Sequence, residues 1–158
     1  MPSMTFVATA HALQWLNIRS VFCEIRADTL CLDPQEVERH VSPRTTGIIG
    51  VHLFGQPCDT DALQEIADRR GLRLIFDAAH AFACSRGNSM IGKFGDAEIL
   101  SFHATKFLNT LEGGAILTDN DELAGQAPPM RNFGSAGYDA VASLGINGKM
   151  NEFPQRWG

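Results

Sequence analysis

The apolar positions of this chain fall into short runs whose spacing switches between extended and helical. Thr46 to Phe54 (TGIIGVHLF) is nearly continuous apolar residues, the pattern of a parallel strand covered on both faces. Asp59 to Arg70 carries Leu63, Ile66 and Ala67 on one helical face with charges opposite, and Gly71 follows as its stop. Leu72 to Phe76 returns to a strand and ends on Asp77. Strand, amphipathic helix and strand over about 30 residues make a βαβ unit, whose crossover is expected to be right-handed. Asp96 to Phe102 (DAEILSF) and Gly114 to Thr118 (GAILT) read as two further strands.

Ahead of this unit, Phe6 to Leu16 suits a helix that Thr5 can cap, and Val21 to Ile25 reads as a short strand. Asp33-Pro34-Gln35-Glu36 is a helix start: an N-cap aspartate, proline at the first helical position, and a glutamate placed to close a capping box. That helix is expected to end near His40. After the last strand, Asp121 to Ala124 begins like a helix, and Pro128-Pro129 is expected to cut it, because an interior proline costs about 3 kcal/mol. The pattern defines an α/β layer structure, a mostly parallel sheet with flanking helices. In such sheets ligands sit outside the carboxyl ends of the strands, where Asp77, Ser101 and Lys106 all fall.

At 158 residues the chain has the length of one ordinary domain, with 44% hydrophobic and 20% charged residues. A formal net charge of −5 with no cluster of Lys and Arg argues against nucleic acid or an anionic membrane as main partner. The four cysteines, Cys23, Cys31, Cys58 and Cys84, form no CxxC pair and no short secreted framework, which fits reduced thiols and a cytoplasmic protein. The N-terminus lacks the pattern of a signal peptide, and no apolar run reaches the ~18 residues of a membrane helix.

Several motifs can be weighed on their chemistry. Gly87 to Lys93 matches the glycine and lysine spacing of a P-loop, but Phe94 replaces the hydroxyl residue and Gly95-Asp96 follow where a helix should begin, so it reads as a turn. The five histidines show no metal-ligand spacing, and no metal is expected. Asp77 beside Ala78-Ala79 reads either as a helix N-cap or as a functional carboxylate, and His80 alone reads as an interior histidine. Lys106 follows an apolar strand and precedes Gly113-Gly114, and a lysine kept from solvent becomes a nucleophile for carbonyls. A strand-end carboxylate and a lysine after another strand are the two groups that a pyridoxal phosphate site requires.

DAAHAF (Asp77 to Phe82), GKFGDAEILSFHATK (Gly92 to Lys106), EGGAILTDNDELA (Glu112 to Ala124) and RNFG (Arg131 to Gly134) together resemble the sugar aminotransferases of the DegT/DnrJ/EryC1/StrS family. PSMTFVATAHAL (Pro2 to Leu13) and IIGVHLFGQPCD (Ile48 to Asp59) extend the resemblance over almost the whole chain up to Glu152. The resemblance implies the type I aminotransferase fold and pyridoxal 5′-phosphate as cofactor. It implies that Lys106 is the Schiff-base lysine and proton carrier, that Asp77 partners the pyridine nitrogen, and that His80 lies against one ring face. Phe6 would cover the side nearer the substrate, and Ser101 would give its hydroxyl to the cofactor phosphate. Asn147 resembles the asparagine that reaches the phosphate of a neighbouring subunit, so a homodimer is implied. NFGSAGYDAVASLGINGKMNE (Asn132 to Glu152) is similar to the transaminases acting at C-4 of a dTDP-4-keto-6-deoxyhexose. The implied partners are that nucleotide sugar and L-glutamate as amino donor, in deoxyaminosugar and polysaccharide biosynthesis.

Family members are more than twice this length. The expectation is therefore a partial cofactor-binding large domain over residues 1–152, an atypical tail over 153–158, and no C-terminal small domain. The opening helix and the turn whose amides hold the phosphate are expected to be missing before Met1. Turnover by the chain alone is expected to be weak or absent, and the alternative reading is a catalytically silent remnant that associates with a complete subunit.

Overall fold

A computed structural model describes residues 1–150. The tail assigned to 153–158, and the end of the domain assigned to 1–152, lie outside the described residues.

Two helices, α1 (Val7–Trp15) and α2 (Pro34–His40), precede strand β1 (Gly47–Val51). Helix α3 (Thr60–Arg70) connects β1 to β2 (Arg73–Asp77), giving the expected βαβ unit. A small hairpin, β3 (Ser85–Arg86) and β4 (Ser89–Met90), leads to β5 (Ala97–Ser101), β6 (Gly114–Leu117) and helix α4 (Asp121–Arg131). The main sheet has the order β1-β2-β5-β6, with β1, β2 and β5 parallel and β6 antiparallel to β5.

One face of the sheet packs on α2 and α3. Ile48, Leu74 and Phe76 meet Val37, Leu63 and Ile66 in a core that also holds Leu32, Cys31 and Cys58. All four cysteines are free thiols. Helix α3 stops where Gly71 adopts a left-handed conformation with φ 65°, the backbone state that glycine enters without penalty. Gly50 has a different reason to be glycine, since a Cβ there would lie 2.6 Å from the ring carbons of Phe76. A second, smaller cluster of Ala78, Ala81 and Leu100 lies against Phe102 and Leu117.

Four local expectations are corrected. Val21 to Ile25 is not a strand: only Cys23 and Ile25 form isolated bridges, to Pro2 and Leu32. A strand needs pairing over several residues, and here its neighbour contributes only Met1 to Ser3. Asp33 does cap α2, accepting from the Gln35 amide at 2.8 Å, but Glu36 does not close a box. Its carboxylate turns to Arg39 and His40, and the Asp33 amide donates to the Glu24 carbonyl. The N-cap of α1 is Phe6, not Thr5, whose hydroxyl bonds Thr9 instead. Helix α4 runs through Pro128 and Pro129. Both prolines sit in its last turn, so the donors they remove are only those that would meet the Ala124 and Gly125 carbonyls, and the carbonyls of Pro129 and Met130 accept amides of Asn132, Gly134 and Ile146. The Gly87 to Lys93 segment is a turn as expected: Gly87, at φ 57°, joins β3 to β4, and no helix follows Lys93.

Candidate active site

Parallel pairing of β2 with β5 sets Asp77 opposite Ile99, so Asp77 and Ser101 leave adjacent strands at the same carboxyl edge. The Ala78 amide continues the ladder by donating to the Ile99 carbonyl at 2.9 Å. Beyond Ser101 the chain turns tightly, with the Lys106 amide on the His103 carbonyl at 2.8 Å. This turn returns the half-buried Lys106 to the strand ends. His103 is held in the same turn by Thr105, at 2.9 Å, and by Glu112, at 3.5 Å.

The Asp77 carboxylate is oriented on both oxygens. Oδ1 accepts from the Ala79 amide at 3.1 Å and Oδ2 from the Thr9 hydroxyl at 2.7 Å. Because the Thr9 proton goes to a carboxylate, the 2.8 Å contact between Thr5 and Thr9 must run from the Thr5 hydroxyl to the Thr9 oxygen. A directed chain of two hydroxyls thus ties the start of α1, where exposed Phe6 stands, to the end of β2. A carboxylate has about four lone-pair sites, so with two donors bound Asp77 retains acceptor capacity.

His80 follows one turn after Asp77. Its ring lies parallel to that of Phe54, with centroids 5.9 Å apart and planes 2° apart, and its Nδ1 accepts from the Phe54 amide at 3.3 Å. Phe54 reaches that position in a left-handed conformation, φ 54°, unusual for a residue with a side chain. Partial burial, followed by the nearby Lys106 ammonium, pushes the His80 imidazole below its ordinary value, while Asp77 pulls the other way. Lys106 and Asp77 therefore both act on one ring.

Beneath the edge lies a fully buried pair. Glu98 on β5 accepts from His52 Nε2 at 3.0 Å and from the amides of Gly92 and Phe94. His52 stacks on Phe76 at 4.7 Å, accepts the Cys58 amide at Nδ1, and donates its own amide to the Asp77 carbonyl at 2.9 Å. This network braces the backbone that carries the site carboxylate.

The structure thus gathers Phe6, Asp77, His80, Ser101 and Lys106 at one sheet edge. Asn147 is carried on the exposed 132–150 segment, bridged to Asn132. Thr9, Phe54 and the His52–Glu98 pair were not singled out from sequence, and Thr5 was read there only as a helix cap. The i, i+4 spacing of Thr5 and Thr9 was the available signal for the first two; the others are joined only by tertiary packing. Among the described residues, no group of three or more His, Cys, Asp or Glu is placed to hold a metal ion, and no helix is long and apolar enough to cross a membrane.

An amine, an oriented carboxylate and a flat imidazole at the carboxyl edge of an α/β sheet define the class of α/β aminotransferases. The chain belongs to the DegT/DnrJ/EryC1/StrS aminotransferase family, whose model matches residues 1–155. It is 40% identical over 154 residues to a dTDP-4-amino-4,6-dideoxy-D-glucose transaminase of Shigella dysenteriae, across 98% of this chain and 42% of the relative. The structure of DesI, determined in the presence of its TDP-sugar product, superposes with a TM-score of 0.91 at 49% identity, across 98% of this chain and 39% of DesI. NtdA from Bacillus subtilis, with bound cofactor PMP, superposes with a TM-score of 0.89 at 31% identity, across 98% of this chain and 35% of NtdA. The chain therefore spans about two fifths of the length of the proteins it matches. The expected fold class, a partial mostly parallel α/β domain of the aminotransferase type, is borne out.

Proposed function

We propose that this chain carries the cofactor-holding part of a pyridoxal phosphate dependent sugar aminotransferase, acting on a nucleotide-linked keto-deoxysugar of the dTDP-4-keto-6-deoxyhexose type with L-glutamate as donor. The observation that carries this reading is the placement of Lys106 and Asp77 on successive carboxyl-end turns of adjacent parallel strands, both acting on His80. The family relationship and the TDP-sugar named for DesI support the substrate class.

The residues present fit pyridoxal phosphate: Lys106 offers an amine, Asp77 retains lone pairs toward a ring nitrogen, and Ser101 keeps its hydroxyl proton while its oxygen accepts from the His103 amide at 3.4 Å. When bound, the cofactor supplies an electrophilic carbon and a protonated ring that accepts electrons from the substrate carbon. Asp77, held by Thr9 and Ala79, would keep the ring nitrogen protonated, and the Phe54-backed His80 would fix one ring face. Phe6 would shield the substrate side from water, and Ser101 would bind the phosphate. Lys106, once its amine is released, would take the proton from the substrate carbon and return it to the cofactor carbon. The direction reverses in the second half, when the sugar ketone receives the amino group.

We assign residues 1–152 to this partial large domain, with Asn147 reaching the phosphate site of a second subunit, and we place the protein in the cytoplasm. A second reading, a silent subunit that pairs with a complete one, is favoured by the apolar side chains left exposed beyond β5: Phe107, Leu111, Tyr138, Leu144 and Ile146.

Titration with pyridoxal phosphate tests the first reading. Visible absorbance of the bound cofactor should develop with the wild-type chain and not with Lys106→Ala, and borohydride reduction should fix the label on the Lys106 peptide. An identical spectrum for both proteins, or label on another lysine, would overturn it. Absence of cofactor binding alone, together with co-purification of a full-length homologue, would select the second.

A further inference from the structure

Three features of one turn converge on His80. The turn Leu53–Gly55 follows β1 and is anchored at both ends: Leu53 is buried, and the Gln56 amide closes the turn on the Leu53 carbonyl at 2.9 Å. Between these anchors Phe54 takes φ 54° and ψ 25°, a left-handed conformation that crowds its Cβ against the following carbonyl. Phe54 is 72% exposed, so burial does little to offset that penalty. Strain kept at an exposed position directs attention to what the strained residue holds in place.

Here that is an imidazole. The Phe54 amide donates to His80 Nδ1 at 3.3 Å, and the Phe54 ring lies parallel to the imidazole, with centroids 5.9 Å apart and planes 2° apart. Gly55, at φ 81°, comes next, and a Cβ there would lie 3.3 Å from the His80 carbonyl oxygen and 3.1 Å from Cys84 Sγ. The turn is thus shaped against both the ring and the backbone of one histidine. The bond to Nδ1 also decides where the proton sits. A neutral imidazole has one acceptor nitrogen and one N–H, so with Nδ1 accepting, the proton stands on Nε2. An imidazolium has no acceptor and would turn an N–H toward the Phe54 amide, losing the bond. The Lys106 ammonium opposes a charge on the ring as well, while the Asp77 carboxylate favours it.

We propose that Phe54 is a positioning residue, whose amide and ring together hold His80 as a flat, neutral imidazole with its proton on Nε2 and its plane fixed for a ligand ring. The purpose of this arrangement rests on the reading of the site given above: a cationic imidazolium stacked on a protonated cofactor ring would oppose the charge that ring must carry. The tautomer and the part played by Phe54 do not rest on it.

The test is nitrogen NMR of the histidine rings in the isotope-labelled chain without cofactor, with His80 assigned by the signal lost in His80→Gln. In wild type the two-bond proton–nitrogen correlations should show Nδ1 bare and Nε2 protonated, and the ring should titrate below the ordinary histidine value. Phe54→Gly keeps the amide, accepts the left-handed backbone and removes the ring. The His80 titration should then move up toward the ordinary value, and the tautomer protonated on Nδ1 should grow in. Stability in urea should stay near wild type, because the relieved strain offsets the greater freedom of glycine in the unfolded chain. Phe54→Tyr, which restores a flat ring, should restore the wild-type titration. A wild-type His80 with its proton on Nδ1 would overturn the proposal, and that spectrum needs no variant to fold. So would an unmoved His80 titration in Phe54→Gly, or a loss of stability there as large as that of the core truncation Leu63→Ala, since Phe54 would then serve packing. With no cofactor present, these results stand whether or not borohydride fixes pyridoxal phosphate on Lys106, and the two readings fail separately.

Discussion

Replacing Glu98 by glutamine tests whether the buried network under the site is needed in its present chemical form. Both carboxylate oxygens are used as acceptors, Oε1 for His52 Nε2 and Oε2 for the amides of Gly92 and Phe94. His52 cannot relax by moving its proton, because Nδ1 already accepts the Cys58 amide at 3.0 Å. A glutamine has one acceptor oxygen. If that oxygen serves Gly92 and Phe94, its NH2 faces the His52 N–H and two donors are stranded. If the amide is turned round, the two backbone amides are stranded instead. Both side chains are fully buried, so water does not relieve either arrangement. Each stranded buried donor costs about 1–3 kcal/mol, so two cost about 2–6 kcal/mol. For a chain of this length that is a fall in thermal midpoint of roughly 4–24 °C. Urea unfolding followed by far-UV circular dichroism measures it directly, with an unchanged m-value showing that the two end states are the same. A Glu98→Gln variant within about 0.5 kcal/mol of wild type would refute the hydrogen-bond assignment from which the magnitude is built.

Thr9→Val removes the donor to Asp77 Oδ2 at nearly constant volume; a hydrogen bond to a charged group is worth about 1.5–3 kcal/mol, so the chain should lose about that much stability in urea unfolding, while Thr9→Ser stays near wild type. Gly50→Ala drives a methyl group into the Phe76 ring at 2.6 Å, and that ring is pinned by its stack on His52; the expected destabilisation is about 1–3 kcal/mol, read by urea unfolding. His80 has a folded-state value below its unfolded one, so the unfolded chain binds the extra proton first, and stability should fall as the pH drops through the ordinary histidine value near 6.5 toward the lower folded value. Thermal midpoints of wild type and His80→Gln across that window should converge at low pH, and parallel curves would contradict the shift.

The positions of Asp77 and Lys106 were legible because each is announced by its neighbours along the chain. Asp77 closes an apolar strand, Lys106 follows another, and the parallel pairing of β2 with β5 brings both carboxyl ends to one edge. What was not legible depends on residues far apart in sequence. His52 and Glu98 are 46 positions apart, and nothing in either neighbourhood indicates that each is the other's partner. Phe54 acquires its place behind His80 through a left-handed turn within a run that reads as uninterrupted strand. The two prolines were misjudged because the expected cost assumes a helix interior, whereas the downstream 132–146 segment supplies amides to their turn.

Val21 to Ile25 fails for the opposite reason. Its local pattern is that of a strand, and its backbone still forms bridges at Cys23 and Ile25, but extended structure is completed only by a neighbour. The residues that fix the site are satisfied within this chain, since Asp77 finds Thr9 and Ala79 and Glu98 finds His52. Side-chain hydrogen bonds hold a carboxylate in place one partner at a time, whereas a strand exists only where backbone pairing runs over several successive residues.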